Sequence, residues 1–249
     1  MKRLSSIFLA VILLAPAAKS TAGDFSKIDF EGVTYRVFRC QPEEVRIFWR
    51  GDDGQPLGQF SKLQQQLARR GERLEFVMNA GIFGPDYAPN GLHIEEGREV
   101  LPLNRHAGKG NFYLGPTGVF CIVGNTARIL ETEEYAKAKL HPRLALQSGP
   151  LLMRDAQIHP AFQKTSTSRL HRNGVGIDAQ GRVVFAITDL DGNNLVNLYG
   201  FTEFFRSLGC RDALFLDGDI SAMTVNPDAP IPPGNHFGAI LAVTQKTAK

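Results

Sequence analysis

The sequence predicts an α+β fold, in which a single domain contains mixed, largely antiparallel β-sheets and a few helices. Apolar runs of four to six residues alternate with clusters of Gly, Asn, Asp and Pro, which is typical of many short strands joined by turns. Only three segments have helical spacing. Because they do not alternate regularly with the strands, a doubly wound parallel sheet is not expected. No Ser- or Pro-rich linker divides the chain, so one domain is expected.

The first 22 residues have the pattern of a secretory signal peptide. Two basic residues precede an apolar segment at 7–15, and small residues follow it. Cleavage after Ala22 is predicted, and cleavage after Ala18 is also compatible with the pattern. We therefore expect an exported protein, periplasmic or secreted, whose domain occupies 23–249. No later apolar run is long enough to cross a bilayer, so no transmembrane segment is expected after cleavage.

The charge balance gives no argument for a nucleic-acid partner. The whole chain has 28 basic and 25 acidic residues, and three of the basic residues lie in the segment 1–22. The predicted mature chain is therefore close to neutral. Neither nucleic acid nor an anionic membrane surface is expected as a partner.

Eight strands and one tight hairpin are predicted. Each predicted strand is a short apolar or β-branched run that is bounded by turn-forming residues. The segment Asp178 to Gly181 joins two of them and predicts a hairpin. The preceding glycines match the spacing of a dinucleotide-binding fingerprint, but a strand follows instead of a helix, so no such site is expected. The strands are predicted at 34–38, 45–49, 74–78, 119–123, 174–178, 182–188, 213–216 and 239–243.

Three helices are predicted, at 61–70, 132–140 and 198–208. Ser61 is expected to cap the first helix, and Gly71 is expected to end it. The second helix is short and charged. The third places aromatic residues on one face, which predicts that this face is buried.

The three cysteines, Cys40, Cys121 and Cys210, are widely spaced and form no CxxC pair. Neither a zinc site nor a thioredoxin motif is therefore expected. In an exported protein two of them could form one disulfide, and buried free thiols are the other possibility. The spacing does not choose between these alternatives.

Polar residues adjoin glycines at the ends of several predicted strands, in four groups: 79–83, 147–150, 171–174, and 188–189 with 217–218. Glycine allows close approach of a ligand, while Asn, Gln and Ser supply uncharged hydrogen bonds. Four such groups in one domain suggest a cleft. In the last group, Asp217 follows an apolar run, so a rigid strand would hold its carboxylate at the mouth of that cleft. On its own this segment favours a solvated Asp-Gly turn over a catalytic carboxylate, and the other three groups change that balance.

Two other types of catalytic site are weakly indicated. The six histidines show neither HxH nor HExxH spacing, so no metal site is predicted, although a divalent metal at Asp219 is possible. Ser148 could be a nucleophile, but it lacks the GxSxG pattern, so a serine hydrolase is the weaker alternative.

Five segments, in this order along the chain, resemble the phosphodiester glycosidase family, which includes the lysosomal enzyme that uncovers mannose 6-phosphate. The resemblance covers 33–243 and is greatest to small exported bacterial members. The family's loop often reads LDGG, whereas Asp219 here replaces the second glycine. The chain also lacks the extra modules of the larger animal enzymes, so their protein-glycan substrate is not assigned to it. The segments are VMNAGIFGPDYAPNGLHIEEG (77–97), GNFYLGPTGVF (110–120), LQSGPLLMRDAQIHPAF (146–162), RNGVGID (172–178) and ALFLDGDISAM (213–223).

This resemblance implies hydrolysis of a sugar-1-phosphodiester, which releases a free sugar and a phosphomonoester from a cell-envelope or extracellular glycan. The leaving phosphomonoester has a second pKa of about 6, so it departs with little protonation. Such a reaction needs a cation for the phosphate and a carboxylate near the sugar. Arg172 is the expected phosphate ligand. Asp217 and Asp189 are the expected nucleophile, base or oxocarbenium stabiliser, and the assignment between them is open, as is retention or inversion.

The expected substrate is a phosphorylated sugar or glycan, and its binding residues are expected in the same segments. A different class of function, non-catalytic binding of a phosphoglycan or envelope polymer, would keep the cleft without depending on a carboxylate. The predicted binding residues offer an amide, a hydroxyl or a glycine backbone: Asn79, Gly81, Asn90, Asn111, Gln147, Ser148, Gly149, Asn173, Gly218 and Ser221.

Overall fold

Residues 23–227 and 229–247 are described by the computed structural model, and within them sixteen strands form three antiparallel sheets. Three α-helices accompany them: α1 (Phe60–Arg69), α2 (Thr132–Ala138) and α3 (Leu198–Ser207). The strands are β1 (Asp24–Phe30), β2 (Val33–Cys40), β3 (Val45–Phe48), β4 (Glu72–Ala80), β5 (His93–Glu95), β6 (Arg98–Leu101), β7 (Gly118–Val123), β8 (Thr126–Glu131), β9 (Leu144–Ser148), β10 (Leu151–Arg154), β11 (Gln157–Ile158), β12 (Asn173–Ile177), β13 (Val183–Thr188), β14 (Asp212–Asp217), β15 (Met223–Val225) and β16 (Ala239–Lys246).

The large sheet has the strand order β1-β2-β13-β12-β14-β10-β11. The second sheet is β15-β4-β16-β3, and the third is β6-β5-β9-β7-β8. The α+β prediction is confirmed, because the sheets are antiparallel and the helices are few.

A shared apolar core joins the three sheets. Phe38 of the large sheet stacks on Phe76 of the second sheet with ring centroids 4.4 Å apart, and Phe76 lies 4.8 Å from Phe185. Phe120 of the third sheet belongs to the same cluster. Each fully buried aromatic side chain of this kind stabilises the fold by about 1.5–3 kcal/mol. One face of the large sheet is therefore fixed against the other two sheets.

The opposite face of the large sheet is covered by α3. Phe204 of this helix stacks on Tyr35 of β2 at 3.7 Å between ring centroids, and Phe201 and Phe205 are fully buried beside it. The helix approaches β12 so closely that a Cβ added at Gly176 would lie 2.8 Å from Phe205. Close helix packing is thus the physical reason for the glycine spacing that resembles a dinucleotide fingerprint.

The predicted elements agree with the structure, with one local error. All eight predicted strands and all three predicted helices are present, and the hairpin is confirmed by hydrogen bonds of 3.0 Å from the amides of Gln180 and Arg182 to Asp178 Oδ1. The capping prediction for Ser61 is wrong. The helix begins one residue earlier, so Gln59 is its N-cap and the Ser61 side chain is buried in the first turn.

Two further predictions concern the ends and the cysteines. The predicted signal peptide lies outside the described residues, so it stays a prediction. Within the described ranges, no helix combines the length and apolar character needed to cross a membrane. Cys40, Cys121 and Cys210 are buried free thiols, so no disulfide joins them.

Gly176→Ala is expected to destabilise the protein by about 1–3 kcal/mol, because its new methyl group would overlap Phe205 and the Cys210 thiol. Urea unfolding at neutral pH measures the effect. Gly234→Ala is the matched control, because a Cβ at this exposed glycine meets no atom within 4 Å. Equal unfolding midpoints for the two variants would contradict the close packing of α3.

Candidate functional site

The ends of three strands from two sheets bring Asn79, Asn173 and Asp217 together. Asn79 Nδ2 donates a 3.0 Å hydrogen bond to Asp217 Oδ2. Asn173 Nδ2 donates to both the backbone oxygen and Oδ1 of Asn79, at 2.9 and 3.0 Å. Asn79 and Asn173 are 1% and 0% exposed. Three residues predicted from separate segments therefore form one buried polar cluster.

The loop after β14 is held against this cluster by its own backbone. The Gly218 amide donates to Asp217 Oδ1 at 2.7 Å, and the Ala222 amide donates to Asn79 Oδ1 at 2.9 Å. The Ser221 amide closes a turn onto Gly218 O at 2.8 Å, while its buried hydroxyl has no hydrogen-bond partner among the described residues. Both oxygens of the Asp217 carboxyl are thus oriented by donors, and no cation pairs with them in the described chain.

Burial raises the pKa of Asp217 from its ordinary value to about 6. Hydrogen bonds from the Gly218 amide and Asn79 oppose this rise, and the charge of Asp219 adds to it. A carboxyl with this pKa exchanges its proton near neutral pH. That property suits a general acid or base, or a carboxylate that meets a developing positive charge.

A register shift decides which way Asp217 faces. Gly174 pairs with Phe215, but the register shifts by one residue beyond this pair, so Asn173 pairs directly with Asp217. Directly opposed residues project from the same face of a sheet. Asp217 therefore projects with Asn173 toward the second sheet, whereas Phe215 packs on the α3 side.

The same face carries a row of opposed residues across the large sheet. Lys27 pairs with Arg36, Arg36 with Ile187, and Ile187 with Asn173. Arg36 Nη1 donates to the Met223 carbonyl of the second sheet at 3.2 Å. Two cations thus lie on the face that holds Asp217. Lys27 was not identified from the sequence, because β1 was not predicted, and Arg36 is placed on this face only by the register of β2.

Asp189 lies on this face too, but it is already paired. Its Oδ2 is 2.6 Å from Lys27 Nζ. Burial alone would raise the pKa of Asp189, yet the hydrogen bonds from Lys27 and the Asp191 amide, together with the charges of Lys27 and Arg36, hold it below its ordinary value. Asp189 is therefore ionised at neutral pH, and β12 separates it from Asp217.

Arg172 projects to the opposite face of the large sheet. It precedes Asn173, so its side chain alternates to the α3 side, where the guanidinium lies 5.5 Å from the Phe215 ring. Nε donates to Val196 O at 2.8 Å and Nη2 to Ser168 O at 3.1 Å, but Nη1 has no hydrogen-bond partner among the described residues. The side chain is 1% exposed. Burial lowers its pKa to about 10, and the Asp219 carboxylate opposes that change.

Gln147 is occupied by the protein itself. Its Oε1 accepts from the amides of Leu92 and Asn104 at 3.1 and 2.8 Å, and its Nε2 donates to Asn104 O at 2.7 Å. This amide joins Leu92, just before β5, to Asn104, which follows β6. Gln147 therefore has a structural role, because its amide oxygen and nitrogen already have protein partners and are not available to a ligand.

Ser148 and Gly149 are buried beside the cluster. The Ser148 hydroxyl donates to Leu216 O, one residue before Asp217, at 3.4 Å. In the described part of the chain this carbonyl is its partner, and no histidine is, so a base for a serine nucleophile is lacking. A Cβ at Gly149 would lie 2.4 Å from Phe112 O, so this glycine serves close backbone packing.

The remaining predicted residues lie around β4 and β5. Gly81, which has a φ of +50°, packs against Ser148 immediately after Asn79 and Ala80. Asn90 accepts on its backbone oxygen from Asn104 Nδ2 at 2.7 Å and is half-buried. Asn111 is exposed at the start of a short 3-10 helix. Within the described ranges, no three or more His, Cys, Asp or Glu side chains are grouped as metal ligands would be.

One family profile and one bacterial relative match most of this chain. A profile of the phosphodiester glycosidase family matches residues 72–240. The uncharacterized protein YigE of Escherichia coli K12 is 33% identical over 223 residues, which cover 88% of this chain and 85% of that protein.

Two solved structures share the fold at low identity. The zebrafish N-acetylglucosamine-1-phosphodiester alpha-N-acetylglucosaminidase catalytic domain, auto-inhibited by pro-peptide, gives a TM-score of 0.63 at 14% identity, with 91% of this chain and 85% of that chain covered. A hypothetical protein from Synechocystis gives 0.56 at 12% identity, with 89% of this chain and 61% of that chain covered. At these identities the likeness shows the fold alone.

Asp217→Asn is expected to change how stability depends on pH. Because the folded-state pKa of Asp217 lies above its unfolded value, the native state binds the extra proton, and wild-type stability falls as pH rises from about 4 to about 6. An uncharged side chain avoids that loss. The variant should therefore gain up to about 3 kcal/mol relative to wild type between pH 4 and pH 7.

Urea unfolding at several pH values measures this difference. Asp86→Asn is the matched control, because Asp86 is exposed and lies in a left-handed conformation that asparagine tolerates. If the free energy of unfolding depends on pH in the same way for wild type and Asp217→Asn, the Asp217 carboxyl is not desolvated.

Proposed function

This chain belongs to the phosphodiester glycosidase family, and from that premise we propose that it hydrolyses the bond between the anomeric carbon of a sugar and a phosphodiester. Family membership confirms the resemblance that the five sequence segments predicted. The observation that carries the proposed activity is the Asp217 carboxyl. It is oriented by Asn79 and Gly218, has no paired cation in the described chain, and has a pKa raised to about 6.

The proposed reaction transfers the sugar to water. The bond between the anomeric carbon and the phosphate oxygen breaks, and its electron pair leaves with the phosphate. Water forms the new bond to carbon, and its proton goes to Asp217 or to solvent. The products are a free sugar and a phosphomonoester, whose second pKa of about 6 makes it a good leaving group. One carboxylate near the positively charged carbon can therefore suffice.

We assign the reacting carboxylate to Asp217 and a supporting role to Asp189. One strand lies between β13 and β14, so neighbouring strand spacing puts these two backbones about 10 Å apart. Carboxyl groups that flank a bond are about 5 Å apart in retaining glycosidases and about 6.5–9.5 Å apart in inverting ones, so the spacing argues against a retaining pair, and the ion pair of Asp189 with Lys27 decides the assignment. The Lys27 pair also keeps Asp189 ionised. In this proposal Asp189 holds Lys27 and Arg36 in place beside the site.

The site of action is proposed to be outside the cytoplasm, on an envelope or extracellular glycan. This part of the proposal depends on the predicted signal peptide at 1–22. Serine hydrolysis is not favoured, since the Ser148 hydroxyl bonds the Leu216 carbonyl.

Asp217→Asn is expected to lower the rate of sugar-1-phosphodiester hydrolysis by about 10²–10⁴-fold, because an amide cannot exchange a proton or carry negative charge. Release of free sugar from a panel of sugar-1-phosphodiesters measures it. Asp86→Asn, at an exposed side chain, should leave the rate unchanged. If wild type binds these compounds but cleaves none, the protein is a binding protein instead. If Asp217→Asn cleaves them at the wild-type rate, the assignment of Asp217 is wrong.

Asp219→Asn is expected to move the pH dependence of hydrolysis toward lower pH. The rate of wild type should rise as pH increases through about 6, since the carboxylate form of Asp217 is required. Removing the negative charge of Asp219 eliminates one cause of the raised pKa, so the rise should begin earlier. Rate profiles between pH 4 and pH 8 test this. A profile that does not move would show that Asp219 does not act on the reacting carboxyl.

A further inference from the structure

An exposed pair of stacked aromatic rings lies beside the end of the second sheet that carries Asn79. Tyr87 is 37% exposed, and its ring centroid is 5.4 Å from that of the exposed His236, with the two rings 25° from parallel. Phe83 contacts Tyr87 from another side, with ring centroids 5.9 Å apart. Neither Tyr87 nor His236 is among the binding residues that the sequence predicts.

The backbone at Tyr87 has a conformation that its own side chain disfavours. Asp86 and Tyr87 have φ values of +59° and +57°, which lie in the left-handed region. Asparagine and glycine adopt this region readily, whereas a bulky aromatic residue there is an outlier. The exposed ring also adds little to the apolar core. Stability of the fold therefore does not explain a tyrosine at this position, and such backbone strain is concentrated at ligand sites.

The loop that carries Tyr87 is closed by its own backbone. The Gly84 amide donates to Ala88 O at 2.8 Å, and the Asn90 amide donates to Ile82 O at 3.1 Å. These bonds join the two sides of the loop. The position of the Tyr87 ring is therefore determined before any ligand binds.

The N-terminal end of α1 holds the other ring. Gln59 Nε2 donates to Gly234 O at 3.1 Å, and the Phe237 amide donates to Gly58 O at 2.7 Å. His236 lies between these two anchors, and its Cδ2 is 3.4 Å from the position that a Cβ of Gly58 would occupy. Both rings are thus preorganised, which lowers the entropy cost of binding a ligand against them.

The second sheet connects this aromatic pair to the candidate site. Asn79, which holds the reacting carboxyl, pairs with Ile240 of β16. Gly238 lies two residues before Ile240, and a Cβ there would be 3.2 Å from Tyr87 O. The Tyr87 backbone therefore packs on the chain about 7 Å beyond the level of Asn79 along the strand.

The loop after β14 makes a second connection. Ile220 and Ala222 of this loop pack against the apolar cluster that contains Phe237, the chain neighbour of His236. The Ala222 amide also donates to Asn79 Oδ1 at 2.9 Å. One loop thus contacts both the buried polar cluster of the site and the segment that carries His236.

We infer that the stacked rings of Tyr87 and His236 form a platform that selects, among sugar-1-phosphodiesters, those whose leaving phosphomonoester carries a sugar ring. This inference rests on the proposed function. Because the platform lies outward of Asn79, a ring bound there is not the ring whose anomeric carbon meets Asp217. It belongs to the group on the other side of the phosphate. The face of an aromatic ring is the negative side of its quadrupole and attracts the C–H groups of a sugar ring, whereas a methyl ester offers no such surface.

Calorimetric titration with glucose 6-phosphate and with methyl phosphate tests the platform without relying on catalysis. Both compounds have the phosphate, and only the first has a sugar ring. Tyr87→Asn removes the aromatic ring and suits the left-handed backbone, so this variant should unfold at a urea concentration no lower than wild type does. His236→Ala removes the second ring, and Tyr87→Phe keeps the first. Asp86→Asn is the matched control, because Asp86 has the same backbone conformation and no ring.

Wild type should bind glucose 6-phosphate more tightly than methyl phosphate, and Tyr87→Asn and His236→Ala should each reduce this preference about fivefold. Tyr87→Phe and Asp86→Asn should keep it. In Tyr87→Asn, the KM for a diester that releases glucose 6-phosphate should rise by a similar factor, while the KM for the methyl diester of the same sugar-1-phosphate should not change. The inference is overturned if wild type shows no preference, if Tyr87→Asn or His236→Ala retains it, or if Tyr87→Phe loses it.

The two proposals can fail separately. If wild type cleaves no sugar-1-phosphodiester while Tyr87→Asn still loses the preference for glucose 6-phosphate, the proposed function fails and the platform stands as a binding site for the ring of a sugar phosphate. If wild type cleaves these substrates and Tyr87→Asn keeps both the preference and the KM of wild type, the proposed function stands and the platform is wrong.

Discussion

The side chain of Asn79 is the constraint on which the candidate site depends. It comes from the second sheet, yet its amide donates to Asp217 and its oxygen accepts from Asn173 and from the Ala222 amide. One residue therefore ties two strand ends of the large sheet and the loop after β14 to a second sheet. An apolar residue at this position would leave several buried groups unpaired, at about 1–3 kcal/mol each. A carboxylate would instead repel Asp217.

This arrangement makes the fold less stable than it could be and keeps the Asp217 carboxyl reactive. Asp217 is held by two neutral donors, which orient its oxygens without neutralising its charge. A guanidinium at the same place would lower the pKa of the carboxyl and stabilise the fold, but the carboxyl could then no longer exchange a proton near neutral pH. Arg172 is likewise a buried charged group without full compensation, since burial lowers its pKa and one guanidinium nitrogen lacks an acceptor among the described residues. A buried carboxyl without a paired cation at Asp217 and a buried guanidinium nitrogen without an acceptor at Arg172 thus both depart from the usual pairing of buried charges.

The sequence predicted the strand ends but not the side on which each residue projects. Short apolar runs that end in Asn, Asp or Gly located Asn79, Asn173 and Asp217, because composition marks where a strand stops. Simple alternation would place Arg172 opposite Asp217 and on its face. The one-residue register shift beyond Gly174 instead pairs Asp217 with Asn173. Such a shift depends on cross-strand pairing, which no local pattern records. For the same reason the sequence did not predict that the Gln147 amide is fully used by the backbone of Leu92 and Asn104 and the hydroxyl of Thr132.

The loop that follows the register shift acts on both of these groups. The Asp217 carboxyl and the Arg172 guanidinium lie on opposite faces of the large sheet, and the loop that leads to β15 begins directly after Asp217. Asp219 stands in that loop. Its charge raises the pKa of Asp217 and helps keep Arg172 protonated. A glycine would do neither. We therefore interpret Asp219 as a residue that acts on two groups at once, the proton affinity of the Asp217 carboxyl and the charge of the Arg172 guanidinium.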